Sequence, residues 1–283
     1  MRRLMLASTF AIALTGCDRA PDVPFAPHGE SYSARPDFAR VEYEYPLTPD
    51  HLARITPKNI AKLTQEEVDQ IYARLPAGPI PDGAFDGTLF FPKGVSGDRR
   101  LAEIVGGLGG LVLDLKGAKL ELIGRTLWKG KVFYRDQRVL RNRIEDLSML
   151  KPIIDDPGSL RKITVDGRDA WLLFPAKLYC GQSLLDSRRE SVIIDYAFTD
   201  EIEGYKERPD FLAGRRGLRI RDEIRMVRPG FYLGRAYADR VFLLNFTLYN
   251  AAIAERDGPA FMKTGETPEE CWTGTRRVVA ASK

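Results

Sequence analysis

Residues 217–250 read GLRIRDEIRMVRPGFYLGRAYADRVFLLNFTLYN, and the reading of this stretch decides the fold. Leu218, Ile220, Ile224 and Met226 are set among Arg219, Arg221, Glu223 and Arg225. A period of two sends alternate side chains to opposite faces, so this run is a strand with one dry and one wet face. Pro229-Gly230 marks a tight turn. Phe231-Tyr232-Leu233 then brings aromatic, strand-favouring residues, and a polar break at Ala238-Asp239-Arg240 precedes VFLLNFTLY. The expectation is three sequential antiparallel strands. On the last, Phe242, Leu244, Phe246 and Leu248 share one face, while Val241, Leu243, Asn245, Thr247 and Tyr249 share the other. Both faces are largely apolar, which predicts burial on both sides.

More strands are expected upstream. Thr88–Phe91 is a short one, Thr126–Tyr134 (TLWKGKVFY) another, and Gln137–Ile144 suits its hairpin partner. Ile163-Thr164-Val165 runs into Asp166-Gly167, a two-residue hairpin signal, and returns as DAWLLFPAKLYCG. ESVIIDYAF at 190–198 completes the series. Seven to nine short strands at regular spacing indicate a sandwich or barrel, and no repeat or alternating βαβ pattern competes. The fold class is mainly β (α+β): one antiparallel, barrel-like domain with two or three helices. Thr64-Gln65-Glu66-Glu67 is a capping box opening a helix to Leu75, with Val68, Ile71, Tyr72 and Leu75 on one face.

Residues 98–123 carry Leu101, Ile104, Val105, Leu108, Leu111, Val112 and Leu115 at helical spacing. Gly106, Gly107, Gly109 and Gly110 each cost about 1 kcal/mol there, which close packing on a sheet offsets. Gly106-x-x-x-Gly110 also occurs in spanning-helix pairs, but the charge-free run 104–113 is too short to span a bilayer. A packed helix is expected.

The amino terminus reads MRRLMLASTFAIALTGC. Two arginines, an apolar run too short for a bilayer, and small residues at its end have the layout of a secretory signal. Leu14-Thr15-Gly16-Cys17 resembles the lipobox of bacterial lipoproteins. That resemblance implies removal of residues 1–16, acylation of Cys17, and a cell-envelope protein held on a membrane facing the periplasm; inner and outer membranes both stay open. Two or more acyl chains hold firmly, at about 0.8 kcal/mol per buried methylene. Residues 17–58, rich in proline, read as an extended tether in which VEYEY (41–45) could pair as an edge strand, and 59–283 as the barrel-like domain with its N-terminal helices.

With 44% hydrophobic residues among 283, a full core is available. Without the two leading arginines, 41 basic residues face 39 acidic ones, and no basic stripe carries stacking aromatics. Nucleic acid is therefore not an expected partner. After Cys17, the pair Cys180 and Cys271 remains, and an even pair in an exported protein favours a disulfide over two buried thiols.

Catalytic constellations are thin. His28 and His51 both lie in the proline-rich entry, and no zinc spacing, nucleophile elbow or phosphate-cradling glycine loop occurs. No cofactor or metal is expected. Asp195, Asp222 and Glu223 lie on expected strands and could serve a hydrolase that needs paired carboxylates, though a solvated face salt-bridged to Arg219, Arg221 and Arg225 explains them as well. A pocket suits the chain better. Asn245, Thr247 and Tyr249 on a barrel's inner face, with Trp128 and Tyr232, would orient a hydrophobic small molecule or lipid. An ordinary filled core suits the same residues.

The segment Trp128-Lys129-Gly130-Lys131-Val132-Phe133 resembles the W-x-G-K-x-F stretch of a small β-barrel family named for a Gly-x-Trp-x-Gly motif, a motif this chain lacks. The resemblance implies a lipocalin-like shape without a settled activity. The C-terminal histidine that binds haem in the related nitrobindins is missing. Three functions follow as expectations: an envelope lipoprotein holding a hydrophobic molecule, a structural or interaction lipoprotein without a ligand, and a hydrolase using acidic side chains.

Overall fold

Alternating and two-sided apolar runs become strands throughout the computed structural model, which describes residues 19–28, 37–91, 128–148 and 150–274. Three helices come first: α1 (Phe38–Glu44), α2 (Pro49–Arg54) and α3 (Gln65–Arg74). The strands are β1 (Gly83–Phe90), β2 (Trp128–Tyr134), β3 (Val139–Ile144), β4 (Lys162–Val165), β5 (Arg168–Gln182), β6 (Glu190–Asp195), β7 (Ile220–Arg228), β8 (Phe231–Ala238) and β9 (Val241–Tyr249). A short helix α4 (Glu207–Asp210) precedes β7, and α5 (Ala251–Thr264) follows β9. Neighbours run β3-β2-β1-β9-β8-β7-β6-β5, and a β3–β5 pairing closes them into an eight-stranded antiparallel barrel. The short β4 extends the other edge of β5 through the expected hairpin, with Asp166 and Gly167 both at positive φ (50° and 74°). That is the backbone a two-residue hairpin demands.

Register fixes which side chains face inward. Leu89 lies opposite Phe246, Phe246 opposite Gly234, and Gly234 opposite Ile224, so these share the inner face. Phe133, Leu140, Leu178 and Val192 join them from β2, β3, β5 and β6, and Phe85 and Leu248 belong to the same core. Gly234 is required here. A Cβ at that position would lie 2.2 Å from the Phe246 ring, so the aromatic side chain occupies the space an ordinary residue would fill. Gly234→Ala is therefore expected to cost about 1–3 kcal/mol by overpacking. Urea denaturation would measure it, and Phe246→Leu in the same chain should restore part of the loss. A change below about 0.5 kcal/mol, the usual range for inconsequential surface positions, would mean that the ring moves aside freely.

The loop after α3 closes one end of the barrel. Ala77 and Ile80 belong to the inner core, Met226 N–H donates to the Pro76 carbonyl (2.9 Å), and Tyr232 OH donates to the Pro79 carbonyl (2.7 Å). Cys180 and Cys271 meet here as a disulfide, Cα–Cα 5.3 Å, within the usual range for one. The tail residue Trp272 is tied to β6, accepting from Glu190 N–H (3.0 Å) and donating to its carboxylate (2.8 Å).

A second core lies between the helices and the outer faces of β7 and β8, where Ile55, Leu63, Ile71 and Tyr72 meet Val227 and Leu233. α3 begins at Thr64 with the expected capping box. Its end is tied by Arg225, which donates to the carbonyls of Tyr72 (3.2 Å) and Ala73 (3.4 Å) in the last turn, the first of which also accepts from Leu75 N–H (3.2 Å). This corrects the expected wet face of β7: Glu223 and Arg225 are fully buried beneath the helices. Arg225 stays satisfied because the carbonyls of Asp186 and Arg189 (3.0 Å each) and Ser191 Oγ (2.9 Å) take its remaining donors.

Two further expectations change. Within the segment read as an extended tether, residues 37–54 hold α1 and α2, and Val41–Tyr45 lies in and just after a helix rather than an edge strand. Asp37 and Thr48 cap the two helices, and Pro49 sits in the first turn, where its missing N–H costs nothing. Phe38, Leu52 and Ile55 are buried against the barrel. At the other end, α5 was not foreseen; Asn250 caps it and Gly265 (φ +69°) ends it. The expected helix over 98–123 lies outside the described residues. No helix among the described residues is long and apolar enough to cross a membrane.

Candidate functional site

Alternation along β2 and β3 carries two polar side chains into the barrel interior. Lys131 lies opposite Asn142, and both point inward with Phe133 and Leu140. The Lys131 ammonium donates to Asn142 Oδ1 (2.9 Å), Tyr196 OH (2.6 Å) and Asp222 Oδ2 (3.0 Å), which uses all three of its protons. Trp128 Nε1 donates to the same Asn142 oxygen (2.8 Å), and Asn142 Nδ2 donates to Tyr196 OH (2.9 Å) and the Phe174 carbonyl (3.0 Å). The rings of Trp128 and Phe246 each lie 5.4 Å from the ammonium, within reach of a cation–π attraction. Lys131 and Asp222 are 3% and 4% exposed, so this node is a polar tie across the barrel rather than an open site.

Electrostatics agree with the geometry. Burial raises the Asp222 carboxyl above the ordinary range, against the lowering pull of Lys131. Burial would lower the Lys131 ammonium, yet Tyr196 and Asp222 outweigh it and hold it above its usual value. Burial pushes the Tyr196 phenol up to about 12. An unfolded phenol ionises near 10, so between roughly 10 and 12 the unfolded chain releases a proton that the folded chain keeps. Stability therefore falls as pH rises through that window, and Lys131 adds to the fall. Tyr196→Phe should flatten the dependence of the urea midpoint between pH 10 and 12; equal slopes in the two proteins would contradict the assignment.

The residues expected to line a ligand pocket are split. Trp128 and Tyr232 face inward, Trp128 at the Lys131 node and Tyr232 at the plugged end. Asn245, Thr247 and Tyr249 face outward, which reverses the expected orientation of β9. Asn245 Nδ2 donates to Gln65 Oε1 on α3 (2.9 Å), Thr247 is buried, and Tyr249 packs edge-on against Phe231 (6.1 Å). The Phe246–Leu248 face fills the barrel because Gly234 and Gly87 make room for large rings there. The three candidate carboxylates do not converge either. Asp222 points inward to Lys131, and its neighbour Glu223 points outward to accept from Leu184 N–H (3.0 Å). Asp195 accepts from Tyr179 OH (2.6 Å) and Ala197 N–H (2.8 Å).

A concavity of about 570 Å³ opens on the outer wall, between β3, β5 and the turns at 159–161 and 201–206. Its floor is apolar, with Leu160 and Leu172 buried. Arg141, Arg161, Lys177 and Lys206 line it as cations. Sequence reading missed this groove, although the alternation Leu140-Arg141-Asn142-Arg143 does place two arginines on the face opposite the core.

No family model matches this sequence, and no curated protein matches it. Among solved structures, a crystal structure of a protein from Thermomonospora curvata aligns at a TM-score of 0.33 with 18% identity, covering 67% of this chain and 88% of that one.

Proposed function

We propose that this chain is a bacterial envelope lipoprotein, acylated on Cys17 and facing the periplasm, that works through its outer surface. In this reading the barrel is a filled scaffold, not a carrier with a hollow interior. The carrying observation is the occupied centre: Phe246 lies against Gly234, Trp128 covers Gly87, and the Lys131 node ties β2 to β3, β5 and β7. A lipid in the same place would have to displace aromatic rings and leave a buried charge pair unsatisfied, which costs several kcal/mol. A hydrolase is less well supported, because Asp222 and Glu223 occupy opposite faces of one strand. The Leu14-Thr15-Gly16-Cys17 pattern supports the anchor.

Two measurements test the proposal. Palmitate label should enter the full-length chain expressed in bacteria and be absent from Cys17→Ala. The neutral hydrophobic probe N-phenyl-1-naphthylamine should show no saturable fluorescence enhancement with the purified protein. Label that persists without Cys17, or stoichiometric uptake of the neutral probe, would overturn it.

A further inference from the structure

We propose that the groove on the outer wall binds a small amphipathic anion, a carboxylate or phosphate carrying an apolar part. The proposal takes from the preceding reading only that the outer surface is the working one. Arg141 is the central observation. It is 6% exposed and on the groove wall, and its one protein acceptor among the described residues is the Glu203 carbonyl. A guanidinium at that depth normally has a carboxylate partner, because taking the charge out of water is costly. Burial lowers its pKa against the raising pull of Asp210, and the nearby Arg161 lowers it further, so two like charges share the groove with no carboxylate hydrogen-bonded to either among the described residues. Arg161 is placed deliberately: its carbonyl accepts from Leu172 N–H (2.9 Å), and its guanidinium lies 5.4 Å from the Tyr134 ring. Lys206 lines the groove as well, and it makes no ion pair within 4.0 Å among the described residues.

The acidic groups at the groove make their hydrogen bonds to other partners, although Asp210 is close enough to attract Arg141. Glu201 pairs with Lys177 (2.5 Å). Asp210 accepts from the N–H groups of Phe174 (2.6 Å) and Lys206 (2.9 Å) and is 1% exposed. Glu203 is exposed at the rim. One end of the groove thus presents two arginines suited to planar, bidentate recognition of an anion. Its other lining, Leu160, Leu172 and Ile202, offers apolar surface for a chain or ring. The volume of about 570 Å³ falls in the range of small-molecule sites.

The test uses the full chain in the presence of phosphatidylcholine nanodiscs, titrated calorimetrically with octanoate, octyl phosphate and, as the uncharged control, octanol. Octanoate or octyl phosphate should bind saturably with one site. Octanol should bind about tenfold more weakly or worse, as should the anion to Arg161→Glu, given what a charge-assisted pair is worth. Arg161 is exposed, so that variant should fold; Arg141→Gln, checked by circular dichroism, gives a second reading. Nanodiscs containing phosphatidylglycerol assign the source: competition with octanoate points to a lipid headgroup, and unchanged affinity points to a soluble anion. Equal binding of octanol, or unchanged affinity in a folded Arg161→Glu protein, would overturn the proposal. Uptake of the neutral naphthylamine probe would instead sink the filled-scaffold reading and leave this result standing.

Discussion

Lys131→Met should destabilise the protein by about 3–5 kcal/mol, the cost of leaving a carboxylate buried without its partner. Asp222 would lose the ammonium at 3.0 Å, and the weaker approach of Tyr196 OH at 3.5 Å cannot replace a full charge. Burial already raises its pKa, so the variant should bind a proton on folding and lose stability as pH rises above the ordinary carboxylate range. A second change distinguishes charge from packing. Lys131→Met with Asp222→Leu removes both charges while keeping apolar volume, and replacements of this kind are often neutral or stabilising. The double variant should therefore recover most of the loss in urea denaturation at pH 7. Additive losses would show that Lys131 matters through its contacts with Trp128 and Phe246 instead.

The second large effect concerns the disulfide. Closing a 91-residue loop between Cys180 and Cys271 contributes on the order of 4–5 kcal/mol in the chain-entropy account. Cys180→Ala with Cys271→Ala should lower stability by that order, and reductant should have no further effect on the variant. Structure adds where the loss begins. Cys271 belongs to the inner core, and Glu269 of the same tail accepts from Gly78 N–H (3.0 Å) in the loop that plugs the barrel. Hydrogen exchange should accelerate first at Trp272, Glu190 and Gly78. A loss below about 1 kcal/mol, or two alkylated thiols in the untreated protein, would contradict the bond's role.

Much of the fold was legible because it rests on local chemistry. Asp166-Gly167 can supply two successive positive-φ residues, so its hairpin follows from the dipeptide. Thr64 and Glu67 satisfy each other's helix-end donors, so α3 starts where the pattern says. Proline misled where its position mattered more than its count. Pro49 at a helix start is compatible with α2, and six prolines between Asp18 and Asp50 did not prevent α1 and α2 from packing against the barrel. On β7, Arg225 looked like a solvent-facing residue because only distant carbonyls, from Asp186 and Arg189 among others, could satisfy it in the interior.

The chain by itself determined the class of fold, the series of short antiparallel strands, the capped helix and the partner of Cys180. Each of these depends on neighbours in sequence or on the pairing of two rare side chains. Tertiary structure alone decided which side of β9 lies inside, since both sides are dry and alternation distinguishes faces without orienting them. It also decided that Lys131 and Asp222, 91 positions apart, share a bond, and that Arg141 stands beside Arg161 over an open groove. Those neighbours are brought together by register around a closed barrel, and no local pattern in the chain encodes that register.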